Sequence, residues 1–107
     1  MPAPFPTFAE FRAARDIANA AVDARAADLQ DVKTRLMAAY DVTPGPMGLT
    51  PDCVKFHPEF RAAQRAFRIA MARLQAITSA NCKHYARDIS RDIEARRIAK
   101  RDARRRA

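Results

Sequence analysis

The chain has 107 residues, 49% of them hydrophobic, with two cysteines, no Trp and a formal net charge of +8. That length holds one domain at most, and with 24 alanines against six Phe and two Tyr it lacks the side-chain volume for a large solitary core. Two cysteines are too few for a disulfide framework and suit a reducing compartment. No apolar run approaches the roughly 18 residues of a membrane-spanning helix. The opening Met1-Pro-Ala-Pro-Phe-Pro6 lacks the basic stretch and apolar core of a secretory signal. A soluble cytoplasmic protein is the expectation. The charge is unevenly spread: residues 1–58 sum to −1 and residues 59–107 to +9. Such asymmetry points to a polyanionic partner.

Pro2, Pro4 and Pro6 hold residues 1–6 as an extended arm of polyproline II type. Thr7-Phe-Ala-Glu10 then reads as a capping box, with the Thr7 hydroxyl and the Glu10 carboxylate covering free amides. From Phe8 to Tyr40 there is no Gly or Pro. Phe11, Ala18, Val22, Leu29, Val32, Leu36 and Ala39 recur at spacings near three and four, interrupted by Arg15 and Arg25. Residues 7–40 are therefore helix one, about 50 Å long at 1.5 Å per residue.

Residues 41–57 form a Pro/Gly connection, because Pro44-Gly45-Pro46 and Gly48 cannot continue a helix. Within it, Thr50-Pro51-Asp52 predicts a short helix over 51–56, with Thr50 as cap and Pro51 in the first position. His57-Pro58-Glu59 restarts the chain as helix two, with His57 as its cap. No Gly or Pro follows Pro58, so helix two is expected to run unbroken over 58–107. On a helical wheel Phe60, Ala63, Phe67, Ala70, Met71, Leu74, Ile77 and Tyr85 share one face. Arg61, Arg65, Arg68, Lys83, Arg87, Arg97, Arg101, Arg104 and Arg105 share the opposite one.

The predicted fold is all-α: two long helices in an antiparallel, coiled-coil-like hairpin. If Tyr40 lies beside Glu59, Phe8 lies beside position 91, and the second helix outruns the first from there. Asp88 and Asp92 independently mark that boundary, since they occupy wheel positions that are apolar upstream. The basic end, 92–107, would then be an overhang carrying Arg96, Arg97, Lys100, Arg101, Arg104, Arg105 and Arg106. A lone hairpin buries little more than one seam, so oligomerisation into a bundle is expected. Ala13, Ala14, Ala20, Ala21, Ala24 and Ala27 permit close helix approach. Ile17, Met37 and Ile69 lie off the main stripes and form the candidate partner or dimer face.

Cys53, His57, Cys82 and His84 are zinc-ligand types, but their spacings, C-x3-H and C-x-H, match no finger pattern. Cys82 also lies roughly 35 Å beyond His57 along one unbroken helix. Ser79 and Ser90 are helix-surface positions, and neither histidine has an orienting carboxylate for nucleophilic catalysis. Asp88, Asp92 and Glu94 pair naturally with Arg91, Arg96 and Arg97 at spacings of three and four. Both glycines lie in the 44–48 turn, so there is no phosphate-cradling loop. The chain is read as a non-enzymatic protein without metal or cofactor.

What stands out is the basic C-terminal helix. Cations on successive turns can track a phosphate backbone and release its counterions, so the expected function is non-specific binding of nucleic acid or another polyanion through this helix. Alone, the segment from Arg96 would fray through like-charge repulsion, and a polyanion would relieve it. No Asn, Gln or aromatic residue is interleaved among positions 96–106, so base-specific readout is not expected. Arg61, Arg65, Arg68, Lys83 and Arg87 form a secondary basic face. The competing readings are a solvated tail that aids solubility, and an adaptor or inhibitor module of phage or mobile-element accessory type. Such a module would dock on an acidic or apolar surface of a larger complex. Membrane binding is not expected, because the overhang offers only Ile93 and Ile98 for insertion.

Overall fold

The computed structural model describes residues 4–106; the first half of the expected N-terminal arm, residues 1–3, and residue 107 lie outside the described residues. The described chain is all-helical, with no strand: α1 (Phe8–Ala39), a 3-10 turn (Pro46–Gly48), α2 (Asp52–Lys55), α3 (Pro58–Asn81) and α4 (Ala86–Arg106). It divides into two compact units. One comprises Asp16–Gln75; the other holds the chain up to Arg15 and from Ala76 onward.

In the unit of Asp16–Gln75, α1 ends because Asp41 adopts a left-handed conformation, φ 50°. The Asp41 amide then donates to the Ala38 carbonyl at 3.2 Å and the Val42 amide to Met37 at 3.0 Å, the paired bonds of a Schellman cap. This cap folds Val42 and Met37 onto a small core of Leu36, Val54 and Phe60, with Leu29 and Val32 beside them. Burying each large side chain of this kind contributes about 1.5–3 kcal/mol. Val54 reaches that core from α2, where the Val54 and Lys55 amides donate to the Pro51 carbonyl at 3.0 and 2.9 Å. Pro51 is extended, with ψ 147°, and no side chain caps α2. Thr50 thus stands one residue too early for the capping role expected of it. Pro58 opens α3, and His57 caps it: its Nδ1 accepts the Glu59 amide at 3.1 Å.

The other unit is built on aromatic rings. Phe11 is fully buried and Tyr85 nearly so; their rings stack with centroids 5.6 Å apart and planes 9° from parallel. Phe8 meets both edge-on, at 6.0 and 5.8 Å, and His84 meets Tyr85 edge-on at 4.6 Å. The Thr7 hydroxyl accepts the Glu10 amide at 3.2 Å, which is the forward half of the capping box.

The unbroken helix expected over 58–107 is interrupted. α3 ends at Asn81, α4 begins at Ala86, and residues 82–85 form a turn. No Gly or Pro is responsible; the cause lies in side-chain chemistry. Asn81 is 1% exposed. Its Nδ2 donates back to the Ile77 carbonyl at 2.7 Å, a local bond that competes with helix continuation. Its Oδ1 accepts the Phe5 amide at 2.8 Å, and the Tyr85 hydroxyl donates to the Phe5 carbonyl. Both backbone groups of Phe5 are thereby held, one on each side of the break. Bonds from Cys82 to Thr78 and from Tyr85 to Asn81, both 2.8 Å, survive across the turn, so the interruption forfeits few backbone pairs.

The break also changes the pairing of the segment that follows it. Asn81 meets Phe5, Tyr85 meets Phe8 and Phe11, and Asp92 meets Arg12 at 3.0 Å and Arg15 at 3.8 Å. These contacts advance in the same sense along both segments. An unbroken helix, paired as expected, would have carried Asp92 past the start of α1. Instead α4 starts beside the first two turns of α1 and runs in the same sense as far as Asp92.

Candidate polyanion-binding surfaces

α4 is helical because Ala, Arg, Lys and Glu dominate it, all strong helix formers, and because its charges pair along the surface. Arg96 bonds Asp92 at 3.1 Å and Arg97 bonds Glu94 at 3.1 Å. Arg104, Arg105 and Arg106 sit in its last turn, where the partial negative charge of the helix end offsets some of their mutual repulsion. Asp92 anchors the helix, with its side chain 15% exposed and three guanidinium groups, those of Arg12, Arg15 and Arg96, within 4 Å.

Beyond that anchor no residue of α4 is buried. Arg97, Lys100, Arg101, Arg104 and Arg105 line one open hollow of about 550 Å³. Of the seven cations expected to carry binding, these five are brought together. Arg96 is instead turned toward Asp92, and Arg106 is exposed at the helix end.

On α3, Arg61, Gln64, Arg65 and Arg68 line a second open hollow, of about 350 Å³. This row differs from α4 in one respect. No carboxylate occurs between Glu59 and Asp88, and Glu59 is paired with Arg35. Among the described residues none of these three arginines forms an ion pair. Lys83 lies in the break between the helices and Arg87 follows it, so the single wheel that joined them to Arg61 does not extend to them.

Ile17 is 74% and Ile69 60% exposed, and Ile69 lines a hollow with Ala21, Arg25, Ala66, Ala70 and Arg73. Met37 does not join that candidate face. The Schellman cap packs it against Leu36, Val54 and Phe60. Cys53 and Cys82 are free and exposed. Among the described residues, no group of three or more His, Cys, Asp or Glu could hold a metal ion, and no helix is long and apolar enough to cross a membrane.

One exposed aromatic residue went unread in the sequence. Phe56, the residue that ends α2, is 56% exposed. The Lys55 ammonium lies 5.7 Å and the Arg61 guanidinium 5.5 Å from its ring centroid. The available signal was an aromatic flanked by cations outside either apolar stripe.

In comparisons with protein-family models, curated proteins and solved structures, nothing matches this chain. The functional reading therefore rests on its surfaces.

Proposed function

We propose that this protein is a non-enzymatic, basic helical protein that binds nucleic acid, without sequence specificity, through α4. The observation that carries this reading is the row Arg97, Lys100, Arg101, Arg104 and Arg105 on one open face. Five cations on successive turns suit a backbone of repeating phosphates, and no aromatic or amide side chain stands among them to read bases. The anchoring of α4 through Asp92 supports a presented binding helix over a solvated tail.

The test is a salt titration of affinity for a short DNA duplex, with the five residues replaced by Gln in the full chain. Each phosphate contact contributes roughly 0.9 to the slope of log affinity against log salt. The slope should therefore fall by about 4.5 in the variant. Affinity indifferent to both salt and substitution overturns the proposal.

The antiparallel pairing of α1 with α3, and assembly of copies into a bundle, belong to the same proposal. The pairing is supported by Arg35, near the end of α1, meeting Glu59 at the start of α3. Assembly is supported by the exposed Ile17 and the alanine-lined hollow at Ile69, where small residues allow close approach of a second helix. The same face favours the second reading, a module docking on a larger protein complex. Capture that survives nuclease treatment and is lost in Ile69→Asp would favour that reading.

A further inference from the structure

We infer that Phe56 and the arginine row of α3 form a separate binding site for single-stranded nucleic acid, with a base stacked on the Phe56 ring. The site lies wholly within the unit of Asp16–Gln75 and shares no residue with the α4 surface.

The exposure of Phe56 is the first ground. Its neighbours Val54 and Phe60 are 0% and 6% exposed, so the local fold buries apolar side chains readily here and leaves this one out. The second is the pair of cations at its ring. A guanidinium is planar, stacks on aromatic faces and binds phosphate, so Arg61 is equipped to hold a base against the ring or the phosphate beside it. The third is continuity: Arg61 also lines the hollow with Gln64, Arg65 and Arg68. From Arg61 to Arg68 the helix rises about 10 Å, room for successive phosphates rather than one.

The fourth ground is availability. No carboxylate on α3 beyond Glu59 neutralises the row, whereas the α4 cations are interleaved with acids. Within the row, Gln64 offers an amide donor and acceptor able to meet a base edge. An exposed ring beside a cationic track is the combination that holds unpaired strands, since every base has a face to stack. In a duplex those faces are already stacked on one another, so duplex binding should not use Phe56. An acidic peptide would satisfy the arginines but leave the ring without a partner of its own kind.

The test uses the full chain with an oligothymidine carrying one 2-aminopurine, an abasic strand of equal length, a hairpin duplex and polyglutamate. Phe56→Ala should weaken single-strand binding about ten-fold, the scale of one stacked base, and abolish the 2-aminopurine fluorescence change. Phe56→Leu, which keeps the apolar bulk and guards against a folding effect, should lose as much. Affinity for the duplex and for the abasic strand should stay within about two-fold for both variants, as expected when stacking is the only loss. Unchanged single-strand binding in Phe56→Ala overturns the inference. So does an equal loss on the duplex, or polyglutamate competing as well as the oligothymidine. The α4 variant with five Gln separates this site from the α4 reading. If only the α4 reading fails, that variant behaves as wild type while the Phe56 effect persists. If only this inference fails, the reverse is seen.

Discussion

The two units of this chain use different means to hold their helical segments in place. In Asp16–Gln75, a small apolar core of Leu36, Val54 and Phe60 is closed by a helix cap. In the other unit, the stacked Phe11 and Tyr85 are joined by directional polar contacts: Asn81 and Tyr85 on the Phe5 backbone, and three arginines on Asp92. The basic surfaces differ in parallel. Nine Lys or Arg residues lie in α4 among four carboxylates, while Arg61, Arg65 and Arg68 on α3 have only Glu59 near them in sequence, and it is paired with Arg35. Counting cations would rank α4 first by a wide margin. Subtracting the ion pairs narrows it, and shows that the charge network anchoring α4 and the surface it presents are made of the same residue types.

Three substitutions probe this contrast. Phe11→Ala should have the largest effect, about 3–4 kcal/mol, because it empties the centre of a ring cluster. Hydrogen exchange should show amides around Asn81–Ile89 losing protection while those of α1 near Leu36 keep theirs. Uniform loss across the chain would mean that the units unfold as one and would erase the distinction. Asp92→Asn comes next. It leaves three guanidinium groups around a neutral amide in a mostly covered site, at a cost of about 1–2 kcal/mol, between exposed and fully buried pairs. That cost should shrink in urea melts at high salt, which screens the remaining repulsion. A salt-independent loss would show that Asp92 acts by packing alone. The smallest effect belongs to the unit of Asp16–Gln75. Asp41→Gly relieves a left-handed residue at the α1 cap and should stabilise by about 0.5 kcal/mol, read as a small rise in melting temperature. Destabilisation would mean that the Asp41 side chain makes a contact worth more than the backbone relief.

Much of the local architecture was legible. The apolar spacing from Phe11 to Leu36, the Thr7 cap and the Pro44–Gly48 interruption each rest on short-range chemistry visible in a few adjacent residues. The candidate site was legible as a basic helix, but not its membership. Arg96 could be read as a binding residue or as the partner of Asp92 at a spacing of four, and the wheel does not choose. Met37 lay off the stripe, yet the cap at Asp41, four residues further on, folds it inward. Phe56 was overlooked because its neighbours Val54 and Phe60 are ordinary core residues.

The break between α3 and α4 is the clearest case. Thr78, Ser79, Asn81, Cys82 and His84 are all middling helix formers, a faint signal beside the absence of Gly and Pro. By itself the sequence determined that the chain is helical, where its first long helix starts and stops, and that its second half is cationic, since propensity, capping and charge are local properties. Where α4 points was decided only by tertiary structure. Asn81, Tyr85 and Asp92 find their partners roughly 75 to 80 residues earlier in the chain, and no local pattern specifies a contact at that separation.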